Sequence, residues 1–257
     1  MNFKLPNLSK FAKFAISVEA LVIREIKLAD ADFFMGLLYT YIKTFFFIIS
    51  ITLFFYYGLR GSIGGDLSEI IKSISIPFIF FFFFMDIANK SSRMMLVYKN
   101  LFNLPNVNPF NACLAIFLSN LVIYFFITAS AVVLLNFFGI NIPIFKLMSA
   151  ATLIVIFNFS YSFFISFFLF ENTIFAKIHD LLLRVAMFIS SVLIPVEVFP
   201  LEIQKILYWN PLVHIMDYSR YSMGLGPYEL VSPLYVFVIS AFMFLTSIVI
   251  YRLRINI

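Results

Sequence analysis

The chain has 257 residues, 63% hydrophobic and 12% charged, with a mean hydropathy of +1.01 and a formal net charge of +5. One soluble core of this length cannot hide that much apolar surface, so the composition excludes a soluble globular enzyme and leaves no room for a large soluble domain. Membrane topology accounts for the positive charge, and no nucleic-acid partner is expected.

Lys4, Lys10 and Lys13 are followed by an interrupted apolar pattern carrying Arg24, Glu25 and Lys27, so the start does not read as a cleaved signal. From Leu8 to Leu28, Lys10, Lys13, Ser17, Arg24 and Lys27 share one helical face, while Phe11, Phe14, Ala15, Val18 and Val22 line another. This predicts an amphipathic helix along the cytoplasmic headgroups within a 1–32 interface region. A plain membrane anchor and a docking helix for a cytosolic partner fit that periodicity equally.

Residues 33–257 read as a six-span transmembrane domain. A helical span needs ~20 apolar residues, and runs of that kind fall near 36–59, 70–88, 110–138, 148–170, 181–199 and 233–251. An even count places both termini on one side. Lys4, Lys10, Lys13, Arg24, Lys27, Lys90, Arg93, Lys99, Lys177, Arg184, Arg252 and Arg254 gather there, against Arg60, Lys72, Lys146, Lys205 and Arg220 opposite. Both ends are therefore expected to be cytoplasmic. Lys43, near the start of the first span, can snorkel to the same face.

In the second span, PFIFFFFFMD points phenylalanines all around a helix, towards lipid or neighbouring spans, with lipid contact the simpler account. An unpaired Asp86 at mid-membrane would cost ~3 kcal/mol, so it is expected at the interface or paired with a cation. The cytoplasmic segment 89–109 carries Lys90, Arg93 and Lys99 and is long enough for a short helix. Its Met94, Met95, Leu96, Leu101 and Phe102 require burial against the bundle or a partner. Cys113, the only cysteine, lies in an apolar run and reads as packing. Tyr124 and Tyr161 lie deep in their spans, where ordinary hydrogen-bonded packing and the aromatic wall of a wet path are both open.

The fifth span is irregular, because VAMFISSVLIPVEVF contains Pro195 and Glu197 and is followed by Pro200. A broken helix followed by short outer helices across 196–232 is predicted. In YWNPLVHIMDYSRY, Asn210 caps a helix, Pro211 suits its first turn and Gly224 ends it. Leu212, Ile215, Met216, Ser219 and Met223 form a packing face; His214, Asp217, Tyr218 and Tyr221 form a second, and Arg220 lies within reach of Asp217. This helix reads either as an interfacial anchor built on Trp209 and its tyrosines, or as an outer gate that meets polar cargo.

Catalytic signals are sparse. His179 and His214 fall on opposite predicted sides of the membrane, so no two-histidine metal site is expected. Gly61, Gly64 and Gly65 cluster without the lysine of a phosphate loop, so this chain is not expected to bind ATP alone. An intramembrane enzyme would need a constellation among His179, Asp180, Asp86 and the span serines, and their spacing argues against one.

Trp209, Asn210, Pro211, Leu212 and His214, followed by Asp217 and Arg220, resemble the segment before the last span in ABC transporter permeases that export bacterial capsular polysaccharides. ALVIREIK at 20–27 resembles that family's cytoplasmic interface helix, and LFNLPNVNPFNACLA at 101–115 its connection into the third span. The chain departs from the pattern at LADADFFMGLLYTYIKT, before and into span one, and Asp217 stands where Glu is more usual. The resemblance implies a homodimeric inner-membrane unit served by two copies of a separate ATP-binding subunit. ATP and Mg are used in that subunit, with no cofactor in this chain. Arg24, Glu25, Lys27, Lys90, Arg93, Lys99 and Phe102 would form the ATPase-coupling surface. Trp209, Asn210, His214, Asp217, Tyr218, Arg220 and Tyr221 would form the outer gate, with Tyr124 and Tyr161 as pore aromatics. The implied cargo is lipid-linked capsular polysaccharide, passed from cytoplasm to periplasm and on to periplasmic and outer-membrane export proteins. O-antigen, teichoic acid, lipid or a drug are the alternatives within the class.

Overall fold

The computed structural model describes residues 10–28, 33–58, 66–104, 106–169, 172–226 and 231–255. Lys4, Leu8, Arg60, Gly61, Gly64, Gly65, Pro105 and Pro227 lie outside the described residues. All regular structure among the described residues is helical: α1 (Lys10–Leu28), α2 (Phe33–Gly58), α3 (Leu67–Ser92), α4 (Met94–Val97), α5 (Pro109–Phe137), α6 (Ile144–Leu169), α7 (Thr173–Ile189), α8 (Leu201–Leu207), α9 (Pro211–Ser222) and α10 (Pro233–Ile255). Short 3-10 turns cover Lys99–Asn103 and Val196–Val198.

Five described helices, α2, α3, α5, α6 and α10, are long and apolar enough to cross a membrane. At 1.5 Å per residue, the 26 residues of α3 extend well beyond a hydrocarbon core of ~30 Å. The fifth expected span takes a different position from 181–199. Its helix, α7, starts at Thr173, where the Asn172 side chain accepts hydrogen bonds from the backbone N–H groups of Ile174 and Phe175. It stops after Ile189, and Ser191 takes a φ of 58°, a left-handed conformation that an ordinary helix cannot continue. Sequence hydropathy placed the span late because Lys177 and Asp180 interrupt the first turns of α7.

α3 is the hub. It packs against α2, α5, α6, α7 and α9, and every residue from Ile76 to Phe84 is buried. The phenylalanines of PFIFFFFFMD therefore face neighbouring helices, and the lipid-contact account of them is corrected. With helices on all sides, each direction around α3 is filled by protein: Phe78 and Phe82 meet Phe47 of α2, Phe83 meets Tyr124 of α5, and Phe84 meets Phe157 and Tyr161 of α6. The rim helices α2 and α10 instead leave most of their apolar side chains exposed, as lipid-facing elements should.

α1 lies against α5, and its buried seam runs through Val18, Leu21 and Glu25. Phe11 and Ala15, expected on the apolar face, are exposed, because a helix seated on a neighbour rather than only on lipid buries the stripe that meets that neighbour. Leu21 joins Met94, Met95, Tyr98, Cys113, Ile116 and Phe163 in a second cluster, separate from the main core. Met94 and Met95 thus find the burial they require inside the chain, whereas Leu96 and Val97 stay exposed.

Asp86 pairs with a cation, as its chemistry demands. Lys43 Nζ lies 3.5 Å from one carboxylate oxygen, and the Tyr124 hydroxyl donates to the other at 2.6 Å. One carboxylate thereby ties α2, α3 and α5 together. Tyr124→Phe keeps the ring against Phe83 and removes only the hydroxyl. The expected loss is about 1.5–3 kcal/mol, that of a hydrogen bond to a charged group, read as a lowered Tm of the purified protein; an unchanged Tm would show that this contact contributes nothing to holding the helices.

Candidate functional site

α9 is bounded as its sequence requires. Asn210 Oδ1 accepts from the Leu212 N–H at 3.0 Å, and Pro211 occupies the first turn, where an N–H has no partner. At the other end Gly224 has φ 83°; its N–H reaches Tyr221 O at 2.9 Å, and the Leu225 N–H reaches Arg220 O at 3.0 Å. That pair of bonds is a Schellman ending. Asn210 also acts outward, donating from Nδ2 to Ile189 O at 3.1 Å and so fastening the last turn of α7.

His214 is buried between three segments. Its Nε2 lies 2.9 Å from Tyr208 O, and its Nδ1 receives the Ser232 N–H at 3.3 Å. A carbonyl on one side and an N–H on the other select the neutral ring protonated at Nε2. Tyr208 stacks on the imidazole and Tyr235 meets it edge-on, while the Tyr235 hydroxyl donates to Trp209 O at 2.8 Å. Burial lowers the His214 pKa from 6.5, opposed by the Tyr208 carbonyl and by Asp217. The Tyr208 phenol is pushed up to about 12 by burial, then by Asp217 and Glu197.

Arg220 is 3% exposed and makes every one of its bonds inside the protein. Nη1 donates to Asp217 at 2.7 Å and to Ser191 Oγ at 3.0 Å, Nη2 to Val192 O at 2.8 Å, and Nε to Ser73 O at 3.0 Å. The last acceptor has a simple origin. Pro77 lies four residues beyond Ser73 within α3 and has no N–H, so the Ser73 carbonyl is left without its helical donor. Arg220 supplies it, and also supplies a donor where α7 has broken. Asp217 accepts from Ser191 Oγ at 2.7 Å as well. Burial pushes Asp217 up and Arg220 down, and their contact opposes both shifts.

Of the expected gate residues, the structure brings Asp217 and Arg220 into one joint and Trp209, Asn210 and His214 into another. Tyr218 stacks on Tyr221 and reaches Ser149 of α6 at 3.1 Å. Trp209 is the outward member, with its side chain largely exposed. Beside the joint is a cavity of about 230 Å³ lined by Glu69, Ser73, Glu197, Asp217, Arg220 and Gly226 among apolar neighbours. Gly226 has φ 77°, and a Cβ there would meet Glu197 Oε1 at 2.8 Å, so the cavity wall requires glycine.

The expected coupling residues divide. Lys27 and Lys99 are exposed. Glu25 is buried, accepts a hydrogen bond from the Tyr98 hydroxyl, and has Arg24 beside it; the Arg24 guanidinium lies 4.7 Å over the Tyr98 ring. Burial, with Glu25 next, raises the Tyr98 pKa. Phe102 stacks against Tyr98. Ser17 donates to Asn106 O at 2.9 Å and receives the Asn111 amide at 2.9 Å, closing α1, the 94–108 segment and α5 into one block. Lys90 turns into the bundle, to Asn120 Oδ1 at 3.1 Å, and Arg93 reaches Asp180 of α7.

Tyr124 and Tyr161 are packed, with their hydroxyls on Asp86 and His179. A largely apolar cavity of about 190 Å³ between α3, α5 and α6 touches Tyr124. Among the described residues there is no group of three His, Cys, Asp or Glu that could hold a metal ion. Sequence reasoning passed over Ser73, Ser191 and Glu69, and took Glu197 only as an interruption of the fifth span. Pro77 inside an apolar helix was the available signal for Ser73, since it marks a carbonyl in need of a donor.

Arg220→Met should destabilise the fold by about 3–5 kcal/mol, because Asp217 is left unpaired in a buried site; the yield of monodisperse protein in detergent measures it, and wild-type yield and Tm would overturn the joint. His214 gives a pH dependence. Its folded pKa lies below the unfolded 6.5, so the stability it confers is complete above pH 6.5 and is lost as pH falls towards the folded value. Tm should drop between pH 7.5 and pH 5 by more in the wild type than in His214→Gln; parallel curves would exclude His214 as the cause.

Comparison with known proteins follows the same lines. Two Escherichia coli proteins, both named polysialic acid transport protein KpsM, are 27% and 26% identical to the chain over 216 residues, covering 80% of this chain and 80% of each relative. The ABC-2 type transporter family matches residues 17–224, from within α1 through the α3 hub and the 94–108 segment to the end of α9. The chain is a multi-pass membrane protein that belongs to the ABC-2 type transporter family.

Proposed function

We propose that this chain is the permease subunit of an ATP-driven exporter that moves lipid-linked capsular polysaccharide from the cytoplasm to the periplasm across the bacterial inner membrane. The observation that carries the reading is the likeness, along 80% of both chains, to proteins named for polysialic acid transport. In this reading two copies of the chain form the path, and two copies of a cytoplasmic subunit bind ATP and Mg. Lipid-linked O-antigen or teichoic acid would need the same division of labour, and the capsular assignment rests on the named relatives.

α7 and the following 190–200 segment supply the sixth crossing. α7 alone is 17 residues, about 26 Å by its rise, short of a ~30 Å core. Its first half meets Arg93 on the side of the cytoplasmic segment, its last turn meets α9, and the break at Ser191 extends the path outward. Both termini then lie in the cytoplasm, with α1 on the headgroups and Arg252 and Arg254 closing α10. Segments 1–32 and 89–109 form the surface for the ATP-binding subunit, and 196–232 forms the outer gate, leading to periplasmic and outer-membrane export partners.

Within that gate the residues share two tasks. Asn210, His214, Asp217 and Arg220 hold the helix in place, and Trp209, Tyr218 and Tyr221 offer rings to sugar. Tyr124 and Tyr161 stiffen the walls of the path from behind. Purification from native membranes should recover an ATPase subunit with this chain, and the reconstituted pair should move glycan only with ATP; a chain that transports or hydrolyses nucleotide by itself contradicts the proposal. Trp209→Ala should fold normally, since its side chain is 78% exposed, and should lower surface polysaccharide by about tenfold, the scale of a lost aromatic hot spot of ~1.4 kcal/mol. Normal export by that variant removes Trp209 from the path.

A further inference from the structure

α7 is tied by polar bonds near both of its ends. At the inner end the Arg93 guanidinium bonds the Asp180 carboxylate, and the Tyr161 hydroxyl meets His179 Nε2 at 2.8 Å. At the outer end Asn210 holds Ile189 O, Ser191 holds Asp217, and Arg220 holds Val192 O. Between them Leu181, Leu182, Val185 and Phe188 are exposed and apolar, and such a surface slides against lipid without breaking a polar bond. A hydrogen-bonded helix is stiff along its axis, so a displacement at one end reaches the other.

Arg93 has a particular position. It is the residue between α3 and α4, and α4 leads within a few residues to Tyr98, which Glu25 and Arg24 of α1 clasp. The cytoplasmic block therefore has a charged contact with α7 through Arg93. The Arg93 side chain is 58% exposed and that of Asp180 21%, so solvent screens the arginine while the carboxylate depends on it, and the pair links two bodies.

We propose that the Arg93–Asp180 pair is the joint through which movement of the cytoplasmic block reaches α9, with α7 as the connecting rod and Asp180 as a positioning residue for export. The proposal rests on the permease reading above. It departs from the expectation that Arg93 serves the ATPase-coupling surface, and the two ideas differ at Asp180, which belongs to α7 and to no part of that surface.

The test uses the full complex with its ATPase subunit, carrying Arg93→Asp, Asp180→Arg or both. Three quantities are read: recovered complex, ATP hydrolysis and surface polysaccharide. Each single reversal should leave a complex that assembles and hydrolyses ATP while export falls by about tenfold, within the usual range of coupling between sites. The double reversal should restore most of the export, as paired residues do in a mutant cycle. If either reversal prevents folding, the single neutral variants Arg93→Gln and Asp180→Asn are read instead: each should lower export with ATP hydrolysis retained, and wild-type export by Asp180→Asn overturns the joint. Wild-type export by Asp180→Arg overturns the joint, as does a swap that folds and assembles without restoring export. Loss of assembly in the Arg93 variants alone also overturns it and returns Arg93 to the ATPase contact. A wild-type complex that shows no ATP-dependent export instead overturns the permease reading, which separates the two failures.

Discussion

A proline in α3 and an arginine in α9 fix the outer half of this protein. Pro77 removes one donor from the most crowded helix of the bundle, and the open carbonyl of Ser73 is met by Arg220 at 3.0 Å. The same guanidinium satisfies Val192 O, where α7 has given way to irregular chain. Two breaks in two helices thus share one donor group, and neither is tolerable in a low-dielectric setting without it. Asp217 neutralises the charge, Ser191 bridges the pair, and α9 is locked between α3 and α7. The arrangement spends the strongest hydrogen-bonding groups of α9 inside the protein and leaves Trp209 as its outward ring.

The part of the bundle that carries α1 and α4 is built by a different rule. There the unit is a small second core in which Leu21, Met94, Met95, Cys113 and Phe163 pack together, closed by Glu25 on Tyr98 and by Ser17 on Asn106. A buried carboxylate on an otherwise amphipathic helix is costly unless it is paired, and the Tyr98 hydroxyl together with the adjacent Arg24 pairs it. The consequence is that α1 and the 94–108 segment cannot move separately, and a load applied to either is a load on both.

The elements that could be read from the chain were those whose signal is local. Asn210, Pro211 and Gly224 mark both ends of α9 because caps act within a few residues. Asp86 was required to find a cation, and Lys43 provides it. What escaped was partnership at a distance. Periodicity places Glu25 on a face of α1 but cannot reveal that Tyr98 waits beneath it. It separates His214 from Leu212, yet both are buried, because α9 is enclosed by α3, α6 and α10 rather than lying half in water. The fifth span was misplaced for the opposite reason: a local hydropathy average discounted the stretch around Lys177 and Asp180, whereas the Asn172 cap had already set where the helix begins.

The Lys43–Asp86 pair lies within the first helical hairpin, α2 and α3. As the ribosome delivers the chain from its amino end, both charges emerge early and can meet before any later helix exists. The carboxylate then enters the bilayer already neutralised, and α3 can wait there for the rest of the bundle. Arg220 is made after both Ser73 and Val192, so this joint closes only once α9 has followed α3 and α7. Until that moment the Ser73 carbonyl has no donor from this arginine, and α3 carries an open hydrogen-bonding group one turn before its proline.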